Sequence, residues 1–306
     1  MMSYSPEGFL LNTKENRQYI SSPDGLQRAC AEGTPLEQRV TYCDCKHNLH
    51  VELGEFHGII PREECAVGID DGSVKDIAII ARVNKPVRFV VEQLTTCEGK
   101  KTAILSRKKV QQDFIEDYLP GIIPGDVIDA AITHLESFGA FCDIGCGVNA
   151  LLPIDNISVS RIPHPEVRFS VGDSIKAVIK AFDDSGRITL SHKELLGTWN
   201  ENAQLFLPGE TVSGVIRSIE SYGIFVELTP NLSGLAEYTN EVYEGQQASV
   251  FIKSIIPEKM KFKLIIVDAF DAHYPKVKPV YFINDGHIDE FCYSPPNCAK
   301  VIKTEF

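Results

Sequence analysis

Two pairs of aromatic side chains sit in the same local frame. Phe138 and Phe141 fall in "SFGAF", and Tyr222 and Phe225 fall in "SYGIF", 84 residues further on. A ring, a glycine, one residue and a second ring is a spacing with a chemical use. Two rings held on one protein surface can stack against flat partners, and stacking a nucleobase on an aromatic side chain contributes about 1–3 kcal/mol per base. In an unbroken strand, residues three apart face opposite sides. Gly139 is therefore expected to bulge or bend the chain so that both rings reach one face. Other chemistry is poorly supplied. There is no Gly-rich phosphate loop, no His-Glu-x-x-His helix and no Ser-His-Asp arrangement, so no catalytic residue is assigned and no cofactor is expected. Asp70, Asp71, Asp183 and Asp184 adjoin glycines in turn-like sequence, where Asp serves turn geometry. Cys43, Cys45 and His47 are set closer than structural zinc ligands usually are, so no metal is expected either.

The elements that must position the rings show in a repeat. "PGDVIDAAITHLESFGAF" matches "PGETVSGVIRSIESYGIF" without a gap. "VGDSIKAVIKAFDDSGRITLS" follows the first of these, and "EGQQASVFIKSIIPEKMKFKLII" follows the second. Each unit is a run of short, alternating, β-branched segments between Gly and Pro turns, the pattern of a small barrel of about five strands. A blurred earlier copy runs through "RVTYCDCKHNLHVELGEFHGIIP", "DIAIIARVNKPVRFVVEQL" and "KTAILSR", with "LSR" placed like the later "LSH". It lacks the ring-Gly-x-Phe signal and keeps only Phe56.

Connectors read as helices. "SRKKVQQDFIEDYL" puts Val110, Phe114, Ile115 and Tyr118 on one helical face. "SHKELL" offers a capping box from Ser191 and Glu194. Upstream, Ser22, Pro23 and Gly33 mark the cap, first turn and stop of a helix. The expected order is an N-terminal helical cap over residues 1–35, barrels over 36–120, 121–200 and 201–270, and an extension over 271–306 containing a strand-like "PVYFIND".

The balance of 30 basic against 42 acidic residues gives a net charge of −12. Nucleic-acid binders usually carry a basic excess, so any binding must work through a local face with few phosphate contacts. No run of apolar residues is long enough to span a membrane, and the first residues do not read as a signal peptide, which points to the cytoplasm. The nine cysteines show no framework spacing and are expected to be reduced.

The segment Pro124 to Trp199 resembles the RNA-binding repeat of the bacterial small-subunit ribosomal protein S-one family, through "THLESFGAFCDIG", "ALLPIDNIS", "FSVGDSIKAVI" and "GRITLSHK". The third unit is similar through "GVIRSIESYGIFVELTPNLSGLAE", and the first more distantly through "VELGEFHGIIPREE" and "AILSRKK". The resemblance implies an all-β dominated chain of tandem five-stranded oligonucleotide/oligosaccharide-binding (OB-fold) barrels linked by short helices, gripping single-stranded RNA. The implied RNA-binding residues are Phe138, Phe141, Asp183 and Arg187 in the second barrel, and Tyr222, Phe225 and Lys261 in the third. Pro153 and Glu237 stand where the family has a histidine, and Pro257 stands where it has the acidic residue. Two readings remain at this point. One is a ribosome-associated protein that holds messenger RNA near the small subunit. The other is an acidic scaffold that docks on a ribosomal or RNA-processing protein and touches RNA little.

Overall fold

The computed structural model describes residues 4–97, 99–272, 276 and 278–306. The described chain divides into two compact units: everything up to Ile122 together with Asp143–Asn149, and Ile123–Cys142 together with Ala150–Phe306.

The first unit opens with two helices, α1 (Lys14–Ile20) and α2 (Pro23–Glu32). The start and stop signals of α2 act as expected. Ser22 accepts the Gly25 N–H, Pro23 fills the first turn, and Gly33 leaves the helix at a φ of 64°. Tyr19, Ile20, Leu26 and Ala29 join one apolar core with the barrel below them. That barrel is β1 (Leu36–Cys43), β2 (Leu49–Leu53), β3 (Phe56–Ile60), β4 (Pro86–Cys97) and β5 (Lys100–Ser106), closed in the order β1-β2-β3-β5-β4. Its one parallel pairing joins β3 to β5, and a short helix α3 (Asp76–Ile80) lies on the connection between β3 and β4. Alternation supplies the core: Leu49, Val51 and Leu53 of β2 point inward, as do Val87, Phe89 and Val91 of β4. Helix α4 (Lys108–Asp113) follows β5 and changes pitch to a π turn over Phe114–Tyr118. The single face expected there is split, with Val110 and Phe114 buried and Ile115 and Tyr118 exposed.

An ionic network fastens the N-terminal segment of this unit. Glu7 accepts from the Arg107 guanidinium at 2.6 and 3.0 Å and from the Arg88 N–H at 3.0 Å. Glu37 pairs with Arg88 at 2.6 Å and accepts the N–H groups of Gly8, Leu10 and Leu11. Asp143 accepts the N–H groups of Glu7, Gly145 and Gly147, and burial pushes its carboxyl up to about 6. A Cβ on Gly147 would lie 1.8 Å from the Arg107 guanidinium, so only glycine fits there.

The second unit holds two closed barrels. One is β6 (Val127–Glu136), β7 (Gly139–Asp143), β8 (Asn149–Pro153), β9 (Ser174–Phe182) and β10 (Ile188–Ser191), ordered β10-β8-β7-β6-β9. The other is β11 (Thr211–Glu220), β12 (Gly223–Thr229), β13 (Leu232–Ala236), β14 (Gln247–Ile256) and β15 (Lys261–Phe270), ordered β11-β12-β13-β15-β14. The placement of "LSR" and "LSH" has a structural basis. The Arg107 N–H donates to the Glu64 carbonyl and the His192 N–H to the Asn156 carbonyl, each closing a barrel onto the turn after its third strand.

Between the two barrels, "SHKELL" forms one 3-10 turn, Lys193–Leu196, with a Ser191–Glu194 side-chain hydrogen bond. The capping box belongs instead to α5 (Trp199–Ala203), where Thr198 and Glu201 cap each other. Asn231 is buried and fully used: it accepts the Val159 N–H at 3.0 Å and donates to the carbonyls of Lys193 and Gly197 at 2.7 and 2.9 Å. Burial alone would push the Glu227 carboxyl up, but hydrogen bonds from Arg168 and Arg217 hold it below its ordinary range. The segment "PVYFIND" is not a strand. It runs as irregular chain, pinned where the Phe282 N–H donates to the Leu195 carbonyl and the Tyr281 hydroxyl meets His192. The extension ends in a hairpin of β16 (Glu290–Cys292) and β17 (Lys303–Glu305), with Phe291 and Tyr293 packed into the unit's core. Among the described residues no helix is long and apolar enough to cross a membrane, and no three His, Cys, Asp or Glu side chains gather as a metal site.

Candidate nucleic-acid interface

In the second barrel, Phe141 is the one half-buried residue of an otherwise buried β7. Ala140 and Cys142 are buried in the core, so Phe141 between them points outward and is half-buried. Phe138 is not on that strand. It lies in the turn between β6 and β7 and is 54% exposed. The two rings stand 6.1 Å apart at 90°, an edge-to-face pair. Both reach one surface because the first ring is carried by the turn, not because a bulge re-aims a strand. Gly139 has a different task. A Cβ there would come within 2.5 Å of the Leu152 carbonyl, so glycine permits the close passage of β7 against the end of β8. The third barrel repeats the geometry. Tyr222 is 68% exposed, Phe225 is half-buried, and their rings are 6.1 Å apart at 87°. A Cβ on Gly223 would come within 2.6 Å of the Ala236 carbonyl.

Cross-strand pairing extends each outward ring into a row. In the third barrel Ser218, Phe225, Leu235 and Lys263 face one another across β11, β12, β13 and β15. In the second, Leu151 pairs with Thr189 across β8 and β10, and His134 lies 6.4 Å from the Phe141 ring at 29°. His134 is exposed and its Nε2 meets Glu136 at 2.7 Å. It flanks the ring pair rather than standing apart from it.

The basic residues lie at the fifth strand of each barrel, which pairs with the third strand and not with the ring-bearing second. Arg187 is exposed in the turn just before β10, two residues ahead of Thr189. Asp183 organises the turn beneath it. Its carboxylate accepts the N–H groups of Ser185 and Arg187, each at 2.8 Å, so it is committed to presenting Arg187. Lys261 opens β15 and is exposed, and Lys263, two residues on, shares its face. Lys263 ends the basic cluster "EKMKFK" of the sequence, and its place within the ring row shows only in the strand pairing. Pro153 starts the turn after β8, and Glu237 is exposed just after β13, with no ion pair among the described residues.

The first barrel has the same row with other residues in it. Tyr42 pairs with His50, His50 with Ile59, and Ile59 with Ile104. The Thr41 hydroxyl donates to the His50 carbonyl at 2.8 Å, as the Thr133 hydroxyl donates to the Phe141 carbonyl at 3.1 Å. His50 therefore holds the place of Phe141 and Phe225, and Tyr42 that of His134. From Gly58 to His50 is eight residues, whereas nine separate Gly234 from Phe225. That one-residue slip, absorbed where β12 bulges between Glu227 and Thr229, hid the match. Anchoring an alignment on Gly58 with one deletion would have exposed it.

Residues 122–193 match the model of the S1 RNA binding domain. A small ribosomal subunit protein bS1 of Staphylococcus epidermidis is 32% identical over 279 residues, covering 85% of this chain and 68% of the relative. The chain belongs to the bS1 family. A bS1 protein of Staphylococcus aureus is 33% identical over 259 residues, covering 79% of this chain, and the match spans 63% of that relative's length. Among solved structures, a multidomain protein with nucleic acid binding domains from Streptococcus pneumoniae aligns over 77% of this chain and 73% of its own, at 13% identity and a TM-score of 0.26. Within this bS1 chain the matched domain is the barrel that carries Phe138, Phe141, Asp183 and Arg187.

Proposed function

We propose that this bS1-family chain binds single-stranded RNA on the outward faces of its barrels, with the second barrel as the principal site. The observation that carries the reading is the exposed edge-to-face ring pair, present twice in one geometry with basic side chains at the fifth strand of the same barrel, one strand beyond the neighbour of the ring strand. Phe138 and Phe141 each offer a platform to one base. Arg187 neutralises the phosphate between them and is held for that by Asp183. Tyr222, Phe225, Lys261 and Lys263 do the same on the third barrel, with Glu237 opposing. Rings read no sequence, because every base has a π-face. Duplex RNA is a poor ligand, since paired bases cannot reach the rings.

The modules we assign are residues 36–120, 121–200 and 201–270. The named relatives are small ribosomal subunit proteins. By that kinship we assign the chain to the cytoplasm, to messenger RNA as ligand and to the small ribosomal subunit as partner, in a binding role rather than an enzymatic one. Fluorescence polarisation with labelled oligouridine at two salt concentrations tests the RNA reading. Binding that weakens as salt rises supports it. No binding at low salt transfers the faces to the second reading, a protein scaffold, which the net charge of −12 favours.

A further inference from the structure

The outward row of the first barrel holds three rings in contact. Tyr42 lies parallel to His50, with centroids 4.2 Å apart and planes at 7°, and His57 follows at 5.0 Å from His50. Tyr42 is 47% exposed, so its outer side is open, while His50 is buried beneath it. A hydrogen-bond chain runs under the tyrosine. The His50 Nε2 meets Asp44 at 3.2 Å, the His50 Nδ1 meets the His57 Nε2 at 2.8 Å, and the His57 Nδ1 meets Glu52 at 3.2 Å.

Proton counting decides what this chain holds. Three contacts need three N–H protons, because both ends are carboxylate acceptors. Two neutral imidazoles carry only two. The chain is complete when the histidine pair takes up one further proton and carries one positive charge. Asp44 is fixed as an acceptor, since the Asn48 and Lys46 N–H groups hold its carboxyl well below the usual range. An imidazolium beneath a tyrosine ring is also favoured by the ring's electron-rich face.

We propose that the first barrel is a third single-stranded RNA contact, in which a base stacks on the open side of Tyr42 and its phosphate is drawn by the proton shared between His50 and His57. This deepens the RNA reading of the barrel faces and rests on it. The other charged groups around the pair fix the sign of the pH dependence. Asp44 in the turn after β1 and Glu52 on β2 are the acceptors already named. Glu55, in the turn after β2, is paired with Lys101 of β5, and Asp76 is taken by Arg62 and His47. The Cys43 thiol beside Tyr42 is pushed up by burial and then by Asp44 and stays neutral. With Lys101, Arg62 and the acceptors engaged, the shared proton is the charge that changes, and losing it leaves carboxylates facing the phosphate. RNA affinity at this face is therefore higher while the pair carries the shared proton than after it is lost.

The test uses the full chain carrying Phe138→Ala, Phe141→Ala, Tyr222→Ala and Phe225→Ala to silence the other two faces, and His134→Gln to remove the histidine beside the Phe141 ring. Binding of labelled oligouridine is measured at pH 6 and pH 8, with Trp199 fluorescence confirming a folded second unit and circular dichroism a folded chain. The expected result is an affinity about three- to tenfold higher at pH 6, as for gaining one phosphate contact. Adding His50→Phe and His57→Gln, which keeps a ring as in the sister barrels, should erase the difference, and Tyr42→Ala should weaken binding at both pH values. In the unsubstituted chain, the ring-proton resonances of His50 and His57 should shift on adding oligouridine. Equal affinity at both pH values, a difference that survives the histidine substitutions, or silent resonances would overturn the proposal. If the silenced chain binds nothing while the parent binds, the first barrel has no RNA contact and the other two keep theirs. If the parent binds nothing at either pH, both readings fall.

Discussion

At the level of single residues, the rings were the most legible feature because their chemistry is local. A ring-Gly-x-Phe spacing repeated at 84 residues needs no fold to be seen. The way the rings share a face was not legible. It depends on Phe138 falling in the turn before β7, and a strand and a turn of this length look alike in sequence. The histidine row of the first barrel was hidden for a related reason, a one-residue difference in register. Glu237 gives a prediction at this scale. It is exposed at the end of β13, on the barrel that carries Tyr222 and Phe225. Like charges about 6 Å apart at an effective dielectric near 40 repel by about 1.4 kcal/mol before screening. Glu237→Gln should therefore tighten RNA binding a few fold at low salt in a chain whose second barrel is silenced by Phe138→Ala and Phe141→Ala. The gain should shrink as salt is added, and an affinity that does not move removes Glu237 from the RNA path.

Elements were legible where alternation and caps agree, as in α2 with its Ser22 cap and Gly33 stop. They were misread where a tertiary contact outweighs the local pattern. Ser191 and Glu194 do bond, but Asn231 claims the carbonyls of Lys193 and Gly197, so the chain makes one tight turn and starts its helix at Trp199. Asn231→Ala should destabilise the second unit by about 2–4 kcal/mol, because several buried polar groups lose their partner at once. Chemical denaturation followed by the single tryptophan, Trp199, reads this, and a loss below about 0.5 kcal/mol would contradict it. His192 adds a pH dependence to the same unit. Burial lowers its pKa to about 4, with its Nδ1 on the Ile157 carbonyl at 2.9 Å. The unfolded chain takes up this proton near the ordinary value of about 6.5 and the folded chain does not, so stability is full above that value and falls as pH drops toward 4. The slope should approach about 1.4 kcal/mol per pH unit within the window. His192→Gln should flatten it, and an unchanged slope would show that another group titrates.

For the whole molecule, three closed barrels of one strand order present the same outward row with different contents: Tyr42 and His50, then His134 and Phe141, then Ser218 and Phe225. On the proposed reading, the net charge of −12 confines RNA to these faces rather than to a general basic surface, so affinity should be moderate and rest on several weak contacts. Association with the small ribosomal subunit is checked by co-sedimentation with and without nuclease. Loss of the chain from the subunit fraction on nuclease treatment would indicate tethering by RNA, and retention would indicate a protein contact. The central claim, that the ring pair of the second barrel is the principal grip on single-stranded RNA, is tested most directly by the affinity of the full chain for labelled oligouridine before and after Phe138→Ala with Phe141→Ala. The account predicts a loss of about 2–6 kcal/mol, one stacked base for each ring. A double variant that folds and binds oligouridine as tightly as the parent would contradict it.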